Sequence, residues 1–152
     1  MPELLDFATA TKVPAKPFLK WAGGKGQLLE QISRFLPKEI TRTGTIDKYF
    51  EPFLGGGAVF FWLWSSFEIK KAYLYDINPE LINAFKTVRD NVEDLRWELR
   101  TLEDKYGERS TSKRETYYYE RREEYNELVQ ARKNKSLRRA ALFIFLNRTC
   151  FN

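Results

Sequence analysis

The sequence predicts an α/β protein that opens as a doubly wound parallel sheet and continues into a helical C-terminal segment. Three observations carry this reading. A short apolar strand runs into the glycine triplet Gly55-Gly56-Gly57 and then into the apolar run "AVFFWLWSS". A second strand ends on Asp76 and is followed at once by Asn78-Pro79, a helix-start pair. From there Leu81, Phe85, Val88, Val92, Leu95, Leu99 and Leu102 recur every three or four residues, the stripe of an amphipathic helix. Strand, glycine turn, helix and strand in that order begin a doubly wound sheet.

Each element has its own justification. Residues 1–16, "MPELLDFATATKVPAK", show no periodic pattern and read as a mobile leader; without a basic start and a long apolar stretch they do not match a secretory signal. In "PFLKWAGGKGQLLEQISRFLP" the residues Leu28, Leu29, Ile32, Phe35 and Leu36 share a helical face, and Pro37 closes it. Ile46 to Phe53 forms the first strand, and Lys71 to Ile77 the second. The stripe of the next helix runs to Gly107, and residues 109–113 read as a loop. A polar helix over about 115–133 and an apolar one over about 136–147 follow. The organisation is thus a leader (1–16), an α/β half (17–108) and a helical segment (109–152). Two strands are too few for a covered parallel sheet, so its remainder is expected outside this sequence.

Composition narrows the chemistry. Among 152 residues there is no histidine and one cysteine, Cys150. That removes histidine-dependent triads, histidine-ligated metals, cysteine-based zinc sites and internal disulfides, and it fits a reduced, cytoplasmic setting. The longest apolar run, Ala58 to Trp64, is far below the ~20 residues of a membrane span. Charge is uneven: residues 1–109 hold 16 Lys/Arg against 16 Asp/Glu, and residues 110–152 hold 10 against 5. A solvated helical surface explains such an excess, and so does a face turned toward a polyanion.

The glycine turn and Asp76 form the first candidate site. Glycines after a strand let a ligand approach main-chain N–H groups, and an acid at the end of the next strand accepts hydrogen bonds from ribose hydroxyls. Together they point to an adenosine-containing cofactor, with a tight turn beside an incidental aspartate as the bland alternative. Spacing alone does not choose between NAD and S-adenosylmethionine, although Phe60 stands where the dinucleotide fingerprint wants Gly or Ala. A phosphate loop around Lys25 fails, because Leu19 replaces its first glycine and Gly26 its Ser/Thr. On its own, Trp21 fits a core aromatic as well as a ligand wall, and Lys25 fits a solvated helix start.

The stretches "FLKWAGGKGQLLEQISRFLP", "YFEPFLGGGAVFF", "AYLYDINPELINAFKTVRDN" and "ALFIFLNRTCFN", in that order, strongly resemble the N-terminal half of DNA adenine methyltransferases of the Dam type. The likeness covers Pro17 to Asn152, and the pairing of K-W-A-G-G-K with E-P-F-x-G-G-G is highly specific. It implies an incomplete Rossmann-like, S-adenosylmethionine-dependent methyltransferase fold acting on the exocyclic amine of adenine in double-stranded DNA. Trp21, Lys25, Glu51, Pro52, Phe53, Gly55, Gly57 and Asp76 then match cofactor-site positions. Arg138, Arg139 and Arg148 become phosphate contacts on the basic flank, and Phe151-Asn152 matches a loop beside an extruded base. Tyr117, Tyr118 and Tyr119 fit packing better than base stacking. No metal or membrane is implied.

The resembled family transfers the methyl group at an Asn/Asp-Pro-Pro-Tyr/Phe tetrapeptide. Pro2, Pro14, Pro17, Pro37, Pro52 and Pro79 include no adjacent pair, so this sequence lacks it. No catalytic residue is therefore assigned. The expectation is a cofactor-binding part of an adenine-specific DNA methyltransferase, inactive until a catalytic half completes it, with self-association through open sheet edges as another way to cover the sheet. The alternatives are a non-catalytic nucleic-acid-binding or regulatory module, and a fragment of an NAD-dependent oxidoreductase.

Overall fold

A computed structural model describes residues 15–108, 110–131 and 136–150. Short parallel strands pack beside a group of long helices, and the α/β class stands.

A 3-10 turn at Lys25–Leu28 leads into α1 (Leu29–Arg34). α1 ends before Pro37, as expected, and Pro37 is also the N-cap of a further helix, α2 (Lys38–Thr43), which closes on Gly44 in the left-handed conformation. A proline is suited to such a start because the first helical N–H groups lack partners in any case.

The first expected strand is interrupted: β1 (Thr45–Ile46) and β2 (Tyr49–Glu51) flank Asp47-Lys48. The second is shortened to β4 (Ala72–Leu74), and an unexpected strand, β3 (Glu68–Ile69), precedes it across Lys70-Lys71. β1 pairs with β3 and β2 with β4, both parallel, with Thr45 opposite Glu68 and Glu51 opposite Leu74 in an unbroken register. The interruptions fall opposite one another, and there Lys70 donates to Asp47 at 2.6 Å. Bonds from Lys70 N to the Ile46 carbonyl and from Tyr49 N to the Lys71 carbonyl carry the ladder across the gap.

α3 (Ala58–Ser66) joins the strands. Its run of large apolar residues predicts a buried helix, yet only Val59 and Leu63 are fully buried and Trp64 stays partly exposed. The expected stripe after Asn78 is divided into α4 (Pro79–Asp90) and α5 (Val92–Gly107) at Asn91. The Asn78 side chain caps α4, accepting from Glu80 N at 2.9 Å and Leu81 N at 3.3 Å. α6 (Thr111–Gln130) starts within the expected loop, and α7 (Leu137–Thr149) closes the described helices.

α7 is the axis of the larger core. It packs against α4, α5 and α6, and buries Ala140, Ala141, Leu142, Ile144, Phe145 and Leu146. Tyr117 meets Phe145 edge to face, which agrees with a packing role, while Tyr119 is exposed beneath the Arg122 guanidinium. A smaller cluster of Ile46, Val59, Leu63 and Ile69 lies under the strands. No helix among the described residues is long and apolar enough to cross a membrane.

Candidate functional site

The backbone at the end of β2 builds the site. Gly55 and Gly57 adopt φ of +53° and +77°, and Gly57 is the N-cap of α3 in the left-handed region. The Gly55 N–H donates to Asp76 Oδ2 at 2.9 Å, and the Asn78 N–H donates to Oδ1 at 2.9 Å. Asp76 therefore clamps the glycine turn to the end of β4. Each carboxylate oxygen retains acceptor capacity for a further donor.

Trp21 lies against this turn. A Cβ built on Gly55 would stand 3.1 Å from Trp21 Cδ1, and one on Gly56 would stand 3.3 Å from Trp21 Cβ. The absence of side chains at both positions is what admits the indole. Gly57 faces elsewhere, toward Phe61 and Phe85.

Lys25 reaches the same region from the 3-10 turn. Its Nζ donates to Glu51 Oε1 at 3.0 Å and to the Phe53 carbonyl, leaving one of its three protons for another acceptor. Glu51 is only 5% exposed and takes its second bond from the Tyr49 hydroxyl at 2.8 Å. Burial, that hydrogen bond and the neighbouring negative charge push the Tyr49 phenol well above its ordinary range. The phenol stays protonated and remains a donor.

These groups surround a cleft of about 380 Å³ whose lining includes Trp21, Lys25, Phe53, Gly55 and Asp76. Five of the eight positions expected to hold a cofactor thus meet in one place. Of the others, Glu51 sits behind Lys25, Pro52 follows β2, and Gly57 starts α3. Pro17, Leu19 and Gly56 also line the cleft. Gly56 had a signal in the triplet itself, whereas Pro17 and Leu19 had none.

The expected phosphate contacts divide. Arg139 is 7% exposed and forks onto Glu80, with Nε donating to Oε2 at 2.6 Å and Nη2 to Oε1. Arg138 forks onto Glu124 at 2.7 and 3.0 Å and reaches Glu98 at 2.8 Å. Both guanidinium groups are engaged by carboxylates within the fold. Arg148 is exposed, and its carbonyl accepts from Lys20 Nζ at 3.2 Å. Phe151 and Asn152 lie outside the described residues.

A family model described as D12 class N6 adenine-specific DNA methyltransferase matches residues 21–152. The chain belongs to this family. Among curated relatives, the type II methyltransferase M.MjaIII of Methanocaldococcus jannaschii is 47% identical over 141 residues, covering 90% of this chain and 46% of the relative. The DNA adenine methylase of Haemophilus influenzae is 35% identical over 141 residues, covering 93% and 43%. The DNA N-6-adenine-methyltransferase of Escherichia phage P1 is 36% identical over 137 residues, covering 90% and 15%. This member of the family therefore spans less than half the length of these relatives.

Among the described residues of this D12-class chain, no group of three or more His, Cys, Asp or Glu side chains is placed to hold a metal ion. What its cleft offers is an aromatic wall, one acid and one ammonium. That donor set suits an organic ligand with a flat ring, hydroxyls and a carboxylate.

Proposed function

We propose that this chain is the S-adenosylmethionine-binding part of an adenine-specific DNA methyltransferase, active on the exocyclic amine of adenine in double-stranded DNA when a catalytic half completes it. The observation that carries the reading is the convergence of Trp21, Lys25, the Gly55 turn and Asp76 on one cleft. Its size falls in the range of about 300–1,000 Å³ typical of small-molecule sites. The missing Cβ atoms at Gly55 and Gly56 let Trp21 pack against the turn as one wall of that cleft.

In this reading Asp76 accepts from the ribose hydroxyls while it holds the turn, and Trp21 provides an apolar wall. Lys25 turns its remaining proton toward the carboxylate of the methionine end. Glu51 keeps the ammonium in place and offsets part of its charge, and the Tyr49 hydroxyl fixes Glu51. The cofactor supplies an electrophilic methyl group on a sulfonium. This chain's own residues bind and orient; the groups that receive the extruded base and align its amine belong to the completing half. The Rossmann-like arrangement of the whole sheet and a cytoplasmic location are part of the same proposal.

Titration of the chain with S-adenosylmethionine, followed by calorimetry and Trp fluorescence, tests the reading. Binding is expected, weakened at least tenfold by Trp21→Ala and by Asp76→Ala, with no response to NADH. Methyl transfer to an adenine-containing duplex is expected once the chain is combined with a half bearing the tetrapeptide. No cofactor binding, combined with salt-sensitive DNA retention, would instead favour a non-catalytic nucleic-acid-binding module.

A further inference from the structure

Behind the glycine turn lies a second cavity. It opens between α3 and α4, has a volume of about 340 Å³, and includes Ala72 and Leu74 of β4 in its lining. Its walls are aromatic: Phe60 and Phe61 come from α3, Phe85 from α4, and Phe18 from the segment that carries Trp21. The rings neighbour one another, with centroids 5.3 Å apart for Phe60 and Phe61, 6.1 Å for Phe61 and Phe85, and 4.8 Å for Phe18 and Phe85. Ile82 also faces this space and belongs to neither hydrophobic cluster.

The only polar side chains of the lining are Lys86 and Arg89, and both are exposed. Arg89 is held by Asp90, with bonds of 2.6 and 2.8 Å to the two carboxylate oxygens, so that pair is close to neutral. No hydrogen bond or ion pair engages Lys86 among the described residues. The rim therefore keeps one uncompensated positive charge.

Native interiors leave few voids larger than a water molecule, and an apolar cavity of only about 150 Å³ takes up benzene. A larger space walled by four phenylalanines, with a free ammonium at its rim, has the composition of a small-molecule site. We infer that this cavity binds a planar, two-ring aromatic acid, with the rings among the phenylalanines and the anionic group beside Lys86.

Occupancy of the cavity reaches the cofactor cleft. Leu54, 1% exposed, lines both spaces. Its carbonyl accepts from the Gly57 N–H at 2.9 Å, and a Cβ on Gly57 would stand 3.0 Å from Phe61 and 3.1 Å from Phe85. Bound rings brace the side chains that back the glycine turn. A turn already ordered loses less freedom when S-adenosylmethionine binds, so each ligand raises the affinity of the other. This coupling rests on the cofactor reading above; the cavity site does not.

Calorimetry of the whole chain with 2-naphthalenesulfonate tests the site, with uncharged 2-naphthol as the comparison. Saturable 1:1 binding of the sulfonate is expected, with Kd below about 1 mM. Lys86→Gln should weaken it about threefold, the scale of one exposed ion pair, and leave 2-naphthol unaffected. Ile82→Trp fills the cavity and should abolish binding of both probes while circular dichroism is unchanged. If that variant fails to fold, the exposed substitution Lys86→Gln still decides. Bound sulfonate is also expected to slow amide exchange across residues 54–57 and to raise S-adenosylmethionine affinity at least twofold. The inference is overturned if wild type binds the sulfonate only above about 1 mM, if folded Ile82→Trp binds as wild type does, or if Lys86→Gln changes nothing. Unaltered exchange across residues 54–57 would overturn the coupling. Probe binding without any S-adenosylmethionine binding would remove the proposed function and leave the cavity site intact.

Discussion

The Asn147 carboxamide is bonded to both main-chain groups of Lys20: its Oδ1 accepts from the Lys20 N–H and its Nδ2 donates to the Lys20 carbonyl, each at 2.8 Å. One side chain of α7 thus imitates a strand partner for the segment that carries Leu19 and Trp21 to the cleft. Replacing Asn147 by Ala removes both bonds, each worth about 0.5–1.5 kcal/mol. The unfolding midpoint is expected to fall by about 2–12 °C, and S-adenosylmethionine affinity should fall with it. Asn147→Asp keeps only the acceptor and should lie between the two. Unchanged affinity in Asn147→Ala would show that the segment is held without this bridge.

The two left-handed glycines of the triplet, Gly55 and Gly57, should separate stability from binding. In Gly57→Ala the new Cβ meets Phe61 at 3.0 Å and Phe85 at 3.1 Å with φ at +77°. Backbone strain of about 1–2 kcal/mol and overpacking of about 1–3 kcal/mol both act on the folded state, and urea denaturation measures their sum. In Gly55→Ala the Cβ meets the edge of the Trp21 ring instead, so the larger loss is expected in cofactor affinity. Equal effects of the two substitutions on binding would contradict this division.

The Arg139–Glu80 pair predicts a stability defect. Arg139→Met leaves a buried carboxylate without its fork, a change that costs about 3–5 kcal/mol. Adding Glu80→Leu should recover most of that loss, because the uncompensated charge is gone. DNA retention assays supply the contrast: Arg148→Gln is expected to lower the salt slope by about 1, the signature of one lost phosphate contact.

Acid sensitivity is expected from Glu124. Burial alone would raise its pKa, but the hydrogen bonds and charge of Arg138, with Arg121 nearby, outweigh it and hold the carboxyl below the ordinary glutamate value of 4.5. A depressed folded-state pKa adds stability that is complete above the unfolded value and is lost as pH falls through the folded one. Unfolding free energy should therefore decline as the pH drops below about 4.5. The decline should be shallower in Glu124→Gln, and identical slopes in the two proteins would assign the acid response to other groups.

The parts legible in the sequence were those whose signal is local. The glycine triplet, the Asp76 that follows β4 and the Asn78-Pro79 helix start each lie within a few residues of the structure they determine. The Asn91 break was hidden because the apolar stripe resumes in phase across it, joining α4 to α5 in any periodicity count. α2 carries no separate signal, because the proline that follows one helix is the same residue that starts the next. The ion pairs of Arg138 and Arg139 are invisible to a reading along the chain because their partners, Glu98 and Glu80, lie 40 and 59 residues away. Composition records such charges without recording that they meet.

The cleft lies at the seam between two hydrophobic clusters. Leu19 and Trp21 belong to the one built around α7, while Ala58 opens the helix that buries Val59 and Leu63 in the other. A molecule seated there works as a rivet through two plates. Its binding energy counts toward both, so a saturating ligand should draw their melting into a single, sharper event.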